Sequence, residues 1–133
     1  MTSKVTYQGA LRTTCVHLAS GNEIITDAPT DNHGKGEAFS PTDTVATALA
    51  SCMITVMGIK AQGLEVDLEG TYAEVTKHMA SEPRRIAKIA VRIVFAQAVS
   101  DKTQKLLERT ALTCPVHASL HPDMEKDIVF VWP

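Results

Sequence analysis

The chain has 133 residues, enough for one hydrophobic core, and its 44% hydrophobic and 21% charged residues belong to a folded globular protein, not a disordered or fibrous one. The formal net charge is -2 and the basic residues are scattered, apart from adjacent Arg84 and Arg85. No basic stripe can follow a phosphate backbone, so nucleic acid is not expected as a partner.

The segment 4–27 is rich in Val, Thr, Tyr and Leu and is broken by "ASGN", which predicts a β-meander. "APTDNHGKGEAF", residues 28–39, collects turn residues into a loop long enough to be a lid or a plain crossover. "SPTD" then opens a helix: Ser40 suits the N-cap, Pro41 the first helical position, and Asp43 the third, facing unpaired amides. That helix should run to about Gln62, with Gly63 as its stop. Its apolar stretch, Val45 to Ile59, is shorter than the roughly 20 residues of a membrane span and predicts a helix buried on most faces, with no membrane as partner. Thr44, Thr47, Ser51, Thr55 and Gly58 form a stripe of small side chains along which a helix of a second copy would approach closely.

"LEVDLEGTYAEV" alternates Val66, Leu68 and Tyr72 against acidic residues, predicting a strand with a bulge at Gly70. "RRIAKIAVRIVFAQA" places Ala87, Ile89, Val91, Ile93 and Phe95 on one face, as an antiparallel neighbour of the preceding strand. A helix from Ser100 or Asp101 to Leu112 follows, then a short helix in "TCPVHASL", then a strand with Ile128, Phe130 and Trp132 together. The order βββ-α-ββ-α-α-β, without repeat or linker, is a single α+β domain over residues 1–133.

Three cysteines, Cys15, Cys52 and Cys114, form no C-x-x-C pair and no metal-type spacing. The opening "MTSKVTYQGALRTT" has no secretory h-region, so the expectation is a cytoplasmic protein with free thiols. Cys114 precedes Pro115 and is expected to cap the short helix, where unpaired amides would favour its thiolate; the alternative is an inert capping thiol. Cys52 lies mid-helix on a stripe with Val45, Ala48, Leu49, Val56 and Ile59, where desolvation disfavours the charged form, so local physics reads it as a core residue. Cys15 reads as structural. His117, three residues after Cys114, is a candidate base or a capping residue; His117 and His121 lack a third metal ligand.

"SPTDTVATALASCM" and "TCPVHASL", with their cysteines 62 residues apart, together resemble the OsmC/Ohr family of thiol-dependent hydroperoxide reductases. The resemblance covers essentially the whole chain, and the "SGNEIITDAPTDNHGKGEAFSPTD" stretch resembles an OsmC-like branch rather than the best-known organic hydroperoxide reductases. It implies an intertwined homodimer with a buried central cysteine-bearing helix, and no cofactor. Cys52 would attack the hydroperoxide, Cys114 would resolve the sulfenic acid as a disulfide, and a dithiol or redox protein would reset it. An early-strand arginine oriented by an acid near the start of the cysteine helix would stabilise the thiolate. Arg12 and Asp43 match those places, with Arg84 or Arg85 as alternative guanidinium donors. Asp43 lies nine residues before Cys52, about 14 Å along an ideal helix, so it would act from a partner helix, through an arginine, or only as a cap. Leu49, Met53 and Met57 would give an apolar lining suited to an organic hydroperoxide. The rival reading is a non-catalytic dimeric module binding a small apolar ligand or partner; a third is a redox sensor.

Overall fold

The computed structural model describes all 133 residues, which divide into two compact units, Met1–Val45 and Ala46–Pro133. In the first, β1 (Ser3–Gly9), β2 (Arg12–His17) and β3 (Glu23–Asp27) form an antiparallel sheet in the order β1-β2-β3. This is the expected meander. Its first hairpin turns at Ala10 and Leu11, both with positive φ, although neither is the glycine or asparagine such a turn favours. Val5, Cys15 and Ile24 stand in register across the three strands, and Val5 and Ile24 remain exposed.

The 28–39 loop contains a 3-10 turn at Thr30–Asn32 and folds back on itself. The amides of Gly34 and Gly36 donate to Pro29 O and Ala28 O. Gly34 is required there: a Cβ would fall 1.6 Å from the carbonyl oxygen of Ala28.

Helix α1 (Pro41–Gly63) starts in the expected capping box, Ser40 N–H donating to Asp43 Oδ2 at 2.8 Å and Asp43 N–H to Ser40 Oγ at 3.0 Å. Its end differs from expectation. Gly63 stays inside the last turn and Glu65 takes the left-handed position, φ 55°, while the Val66 and Glu65 amides donate to Ala61 O and Gln62 O. At 23 residues α1 is long and apolar enough to cross a bilayer by length and composition, and it exceeds the 15-residue apolar stretch seen in sequence. It is not buried on most faces: Ala46, Leu49, Ala50, Met53, Met57 and Ala61 form one buried stripe, whereas Val45 and Ile59 are exposed. The small-residue stripe faces outward, and a Cβ added at Gly58 would touch nothing within this chain.

Within Ala46–Pro133, β4 (Tyr72–Ala80), β5 (Arg85–Val94) and β6 (Glu125–Val131) form the second sheet in that order, β4 antiparallel and β6 parallel to β5. The strand expected from Leu64 begins only at Tyr72, because residues 64–71 complete the helix end and a turn; Tyr72 points outward. The bulge lies at His78/Met79, not at Gly70. The shift pairs Met79 with Ile86, so Ile86, and not Ala87, joins Ile89, Val91 and Ile93 in the core. Helices α2 (Asp101–Leu112) and α3 (Pro115–Ser119) carry the chain over to β6. Ser100 caps α2 by accepting the Thr103 amide, and Leu107 and Ala111 are fully buried. Phe95 stacks on Trp132 with centroids 3.5 Å apart, and Trp132 Nε1 donates to Glu108 Oε1 at 2.9 Å.

Candidate active site

Cys114 is the N-cap of α3, with Pro115 at the first helical position, as its sequence context requires. Its Sγ accepts the His117 amide at 3.3 Å, and its own amide donates to Ala111 O at the end of α2. The expected consequence, an acidified thiol, is overturned. Cys114 has no exposed surface, and burial pushes its pKa up, more than the His117 and Val116 amides pull it down; the neighbouring Cys52 side chain raises it further.

Cys52 is therefore a neighbour of Cys114, although the two are 62 residues apart in sequence, and both are free thiols. Cys52 is half-buried at the margin of the α1 stripe and packs against the core, so its surroundings are more open than an apolar run suggests. Leu49, Met53 and Met57 do not line an opening; all three are fully buried in the core. An apolar groove of about 400 Å³ runs instead along Val56, Ile59, Gly63 and Leu64, with Lys60 and Thr110 at its edge. Neither cysteine lines it; Val56 lies one helical turn after Cys52.

Arg12, in the other unit, is held as a fork. Its Nε and Nη2 donate to Asp27 Oδ1 and Oδ2 at 2.7 and 2.8 Å, and Nη2 also reaches Glu37 Oε2 at 3.1 Å. The Glu37 amide donates to Asp27 Oδ2 at 3.2 Å and closes the cluster. Asp27 is 1% exposed, and the Arg12 hydrogen bond holds its carboxyl below the usual range while the same bond drives the guanidinium pKa up. Sequence reasoning missed Asp27 and Glu37, which sit 15 and 25 positions from Arg12. The available signal was "GKGEAF" itself, whose tight glycines fix where Glu37 stands. Asp43 is engaged in the α1 capping box, and Arg85 Nη1 donates to Pro83 O at 3.2 Å.

His117 is partly buried, and burial, followed by the charge of Lys126, lowers its imidazole pKa. His121 lies beyond the end of α3 and accepts the Asp123 amide, so the two histidines share no helix. No three His, Cys, Asp or Glu side chains gather in a metal-binding group. Cys15 is half-buried on β2, its Sγ 3.8 Å from the Thr13 hydroxyl.

The family model for OsmC-like proteins matches residues 34–128. The chain belongs to the OsmC-like family. The match includes both Cys52 and Cys114, whereas Arg12 and Asp27 precede it. A Psychrobacter arcticus 273-4 protein, described as an osmotic stress induced and detoxification response protein, is 61% identical in sequence, with 98% of this chain and 95% of that one covered and a TM-score of 0.95. Two more distant solved structures share the fold. An organic hydroperoxide resistance protein OsmC from Legionella pneumophila is 15% identical over 98% of this chain and 97% of that one, with a TM-score of 0.73. An organic hydroperoxide resistance protein from Elizabethkingia anophelis is 13% identical over 100% and 97%, with a TM-score of 0.74. No curated protein matches. The expected α+β order and OsmC-like architecture are both present.

Proposed function

We propose that the protein is a thiol-dependent peroxidase of organic hydroperoxides, with Cys52 as the attacking thiolate and Cys114 as the resolving thiol. One observation carries this reading: two cysteines far apart in sequence are neighbours within one compact unit. Attack of Cys52 on the O–O bond forms Cys52 sulfenic acid and releases an alcohol. Condensation with the Cys114 S–H then forms a disulfide and water, and a cytoplasmic dithiol or redox protein returns both thiols. Membership of a family that includes organic hydroperoxide resistance proteins supports this chemistry.

In this reading Arg12, held by Asp27 and Glu37, is the guanidinium that the family resemblance assigns to the peroxidatic thiolate, and Asp43 fixes the start of α1. The 133 residues act as one OsmC-like domain in a homodimer; Val5, Tyr7 and Ile24 on the first sheet, and separately Ile59 on α1, are exposed apolar side chains available to a second copy. A second reading, a non-catalytic dimeric binding module, is favoured by one observation, that Arg12 is already committed to two carboxylates.

Consumption of cumene hydroperoxide and hydrogen peroxide by the reduced protein with excess dithiol separates the two. The peroxidase reading expects turnover, faster with the organic substrate, lost in Cys52→Ser and halted at a sulfenic acid in Cys114→Ser. Folded, fully reduced wild-type protein that consumes neither peroxide would leave the binding module.

A further inference from the structure

The two carboxylates that hold Arg12 do so unequally. A guanidinium carries five N–H groups, one on Nε and two on each Nη. Nε and one Nη2 hydrogen go to Asp27 at 2.7 and 2.8 Å, and the other Nη2 hydrogen goes to Glu37 Oε2 at 3.1 Å. Both Nη1 hydrogens are left over. The Asp27 side chain is 2% exposed, so pulling Arg12 away would leave a buried carboxylate without its cation. The Glu37 side chain is 65% exposed, and an exposed ion pair contributes little. The inner edge of the fork is therefore fixed, while the outer edge, Nη1 and Nη2, is held only by an arm that water already reaches.

The backbone beneath that arm does not depend on it. The Glu37 amide donates to Asp27 Oδ2 and the Gly36 amide to Ala28 O, each at 3.2 Å, so the side chain can leave while the loop stays in place. We propose that the outer edge of Arg12 is a binding site for small monocarboxylates, and that Glu37 is a built-in competitor that blocks it. The Glu37 side chain is chemically a tethered propionate, so the ligand class is the one this edge already holds. A free carboxylate takes Nη1 and Nη2 together in two parallel hydrogen bonds, where Glu37 makes one. Against that gain stands the tether, which presents Glu37 at an effective concentration in the millimolar range. The site uses neither cysteine and stands whether or not the protein reduces peroxides. It also divides the two commitments of Arg12: only the exposed one has to break for the guanidinium to meet another anion.

The test uses full-length protein labelled with 15N-arginine, the Arg12 side-chain signals being assigned by their loss in Arg12→Lys. Sodium propionate is titrated at constant ionic strength into wild type, Glu37→Gln and Glu37→Ala and followed by NMR, with propionamide as the uncharged control. Saturable movement of the Arg12 Nη signals is expected, with the Nε–H signal retained because Asp27 still holds it. The apparent Kd should be about fivefold lower in both Glu37 variants than in wild type. Equal Kd values in the three proteins, no saturation in the Glu37 variants, or an equal response to propionamide would overturn the proposal. So would equal movement of Arg84, Arg85, Arg92 and Arg109, which would mark general association of an anion with surface guanidinium groups. Both Glu37 variants should unfold at the wild-type urea midpoint and keep the Arg12 Nε–H signal. A lower midpoint or loss of that signal would make the Glu37 contact structural and sink the competitor role.

Discussion

The thiol pair of Ala46–Pro133 and the arginine cluster of Met1–Val45 are assembled by opposite means. Cys52 and Cys114 are brought together by apolar packing: α1 lays Leu49, Met53 and Met57 into the core, and α2 anchors the approach to Cys114 through Leu107 and Ala111. Arg12 is placed by charge, with a bidentate carboxylate that is nearly inaccessible and a second one that is exposed. The first arrangement tolerates salt and pH and fails when volume is removed. The second tolerates small volume changes and fails when charge or fork geometry is lost.

The sharpest way to break the comparison is Leu107→Ala, which empties a fully buried site on the helix preceding Cys114. It should cost about 2–5 kcal/mol in urea unfolding and slow disulfide formation between Cys52 and Cys114, with the Arg12 cluster untouched. Next in size is Arg12→Lys, which keeps the charge and loses the fork. Peroxide turnover measured as kcat/KM should fall on the order of 100-fold, and the urea midpoint should fall as well, because the buried Asp27 carboxylate loses its two-point partner.

Smaller is the acid response of Asp27→Asn. The native Asp27 carboxyl lies below its ordinary value, so its contribution to stability is complete above that ordinary value and is lost as pH falls through the native one. Below about pH 5 the wild type should therefore lose stability more steeply than Asp27→Asn in urea midpoints taken at each pH. Smallest is Glu65→Gly at the left-handed end of α1, expected to gain about 1 kcal/mol without altering turnover, as thermal and urea unfolding would report.

What was legible in sequence was local. The Ser40–Asp43 box and the Cys114–Pro115 cap are each written within four residues, and both form as read. The end of α1 was misread because Glu65, not the nearby Gly63, takes the left-handed position, and nothing in a glutamate announces that. The parallel pairing of β6 with β5 and the inward turn of Ile86 depend on contacts made across the sheet, which periodicity along one strand does not encode. Within the candidate site, the N-cap position of Cys114 was visible, but the sign of its pKa change was not. Cap geometry is a short-range property, whereas burial is decided by everything that packs around the sulfur.

The order of the second sheet ties the thiol pair to the timing of protein synthesis. Strand β5 is central, yet one of its two neighbours, β6, is made after both α2 and α3. A nascent chain on the ribosome can pair β4 with β5 and extend α1 while the other edge of β5 stays open and Phe95 has no Trp132 to stack upon. Cys52 thus emerges well before the segment that closes the sheet downstream of Cys114. Trp132, the sole tryptophan, is placed to report by its fluorescence the moment at which that later segment docks.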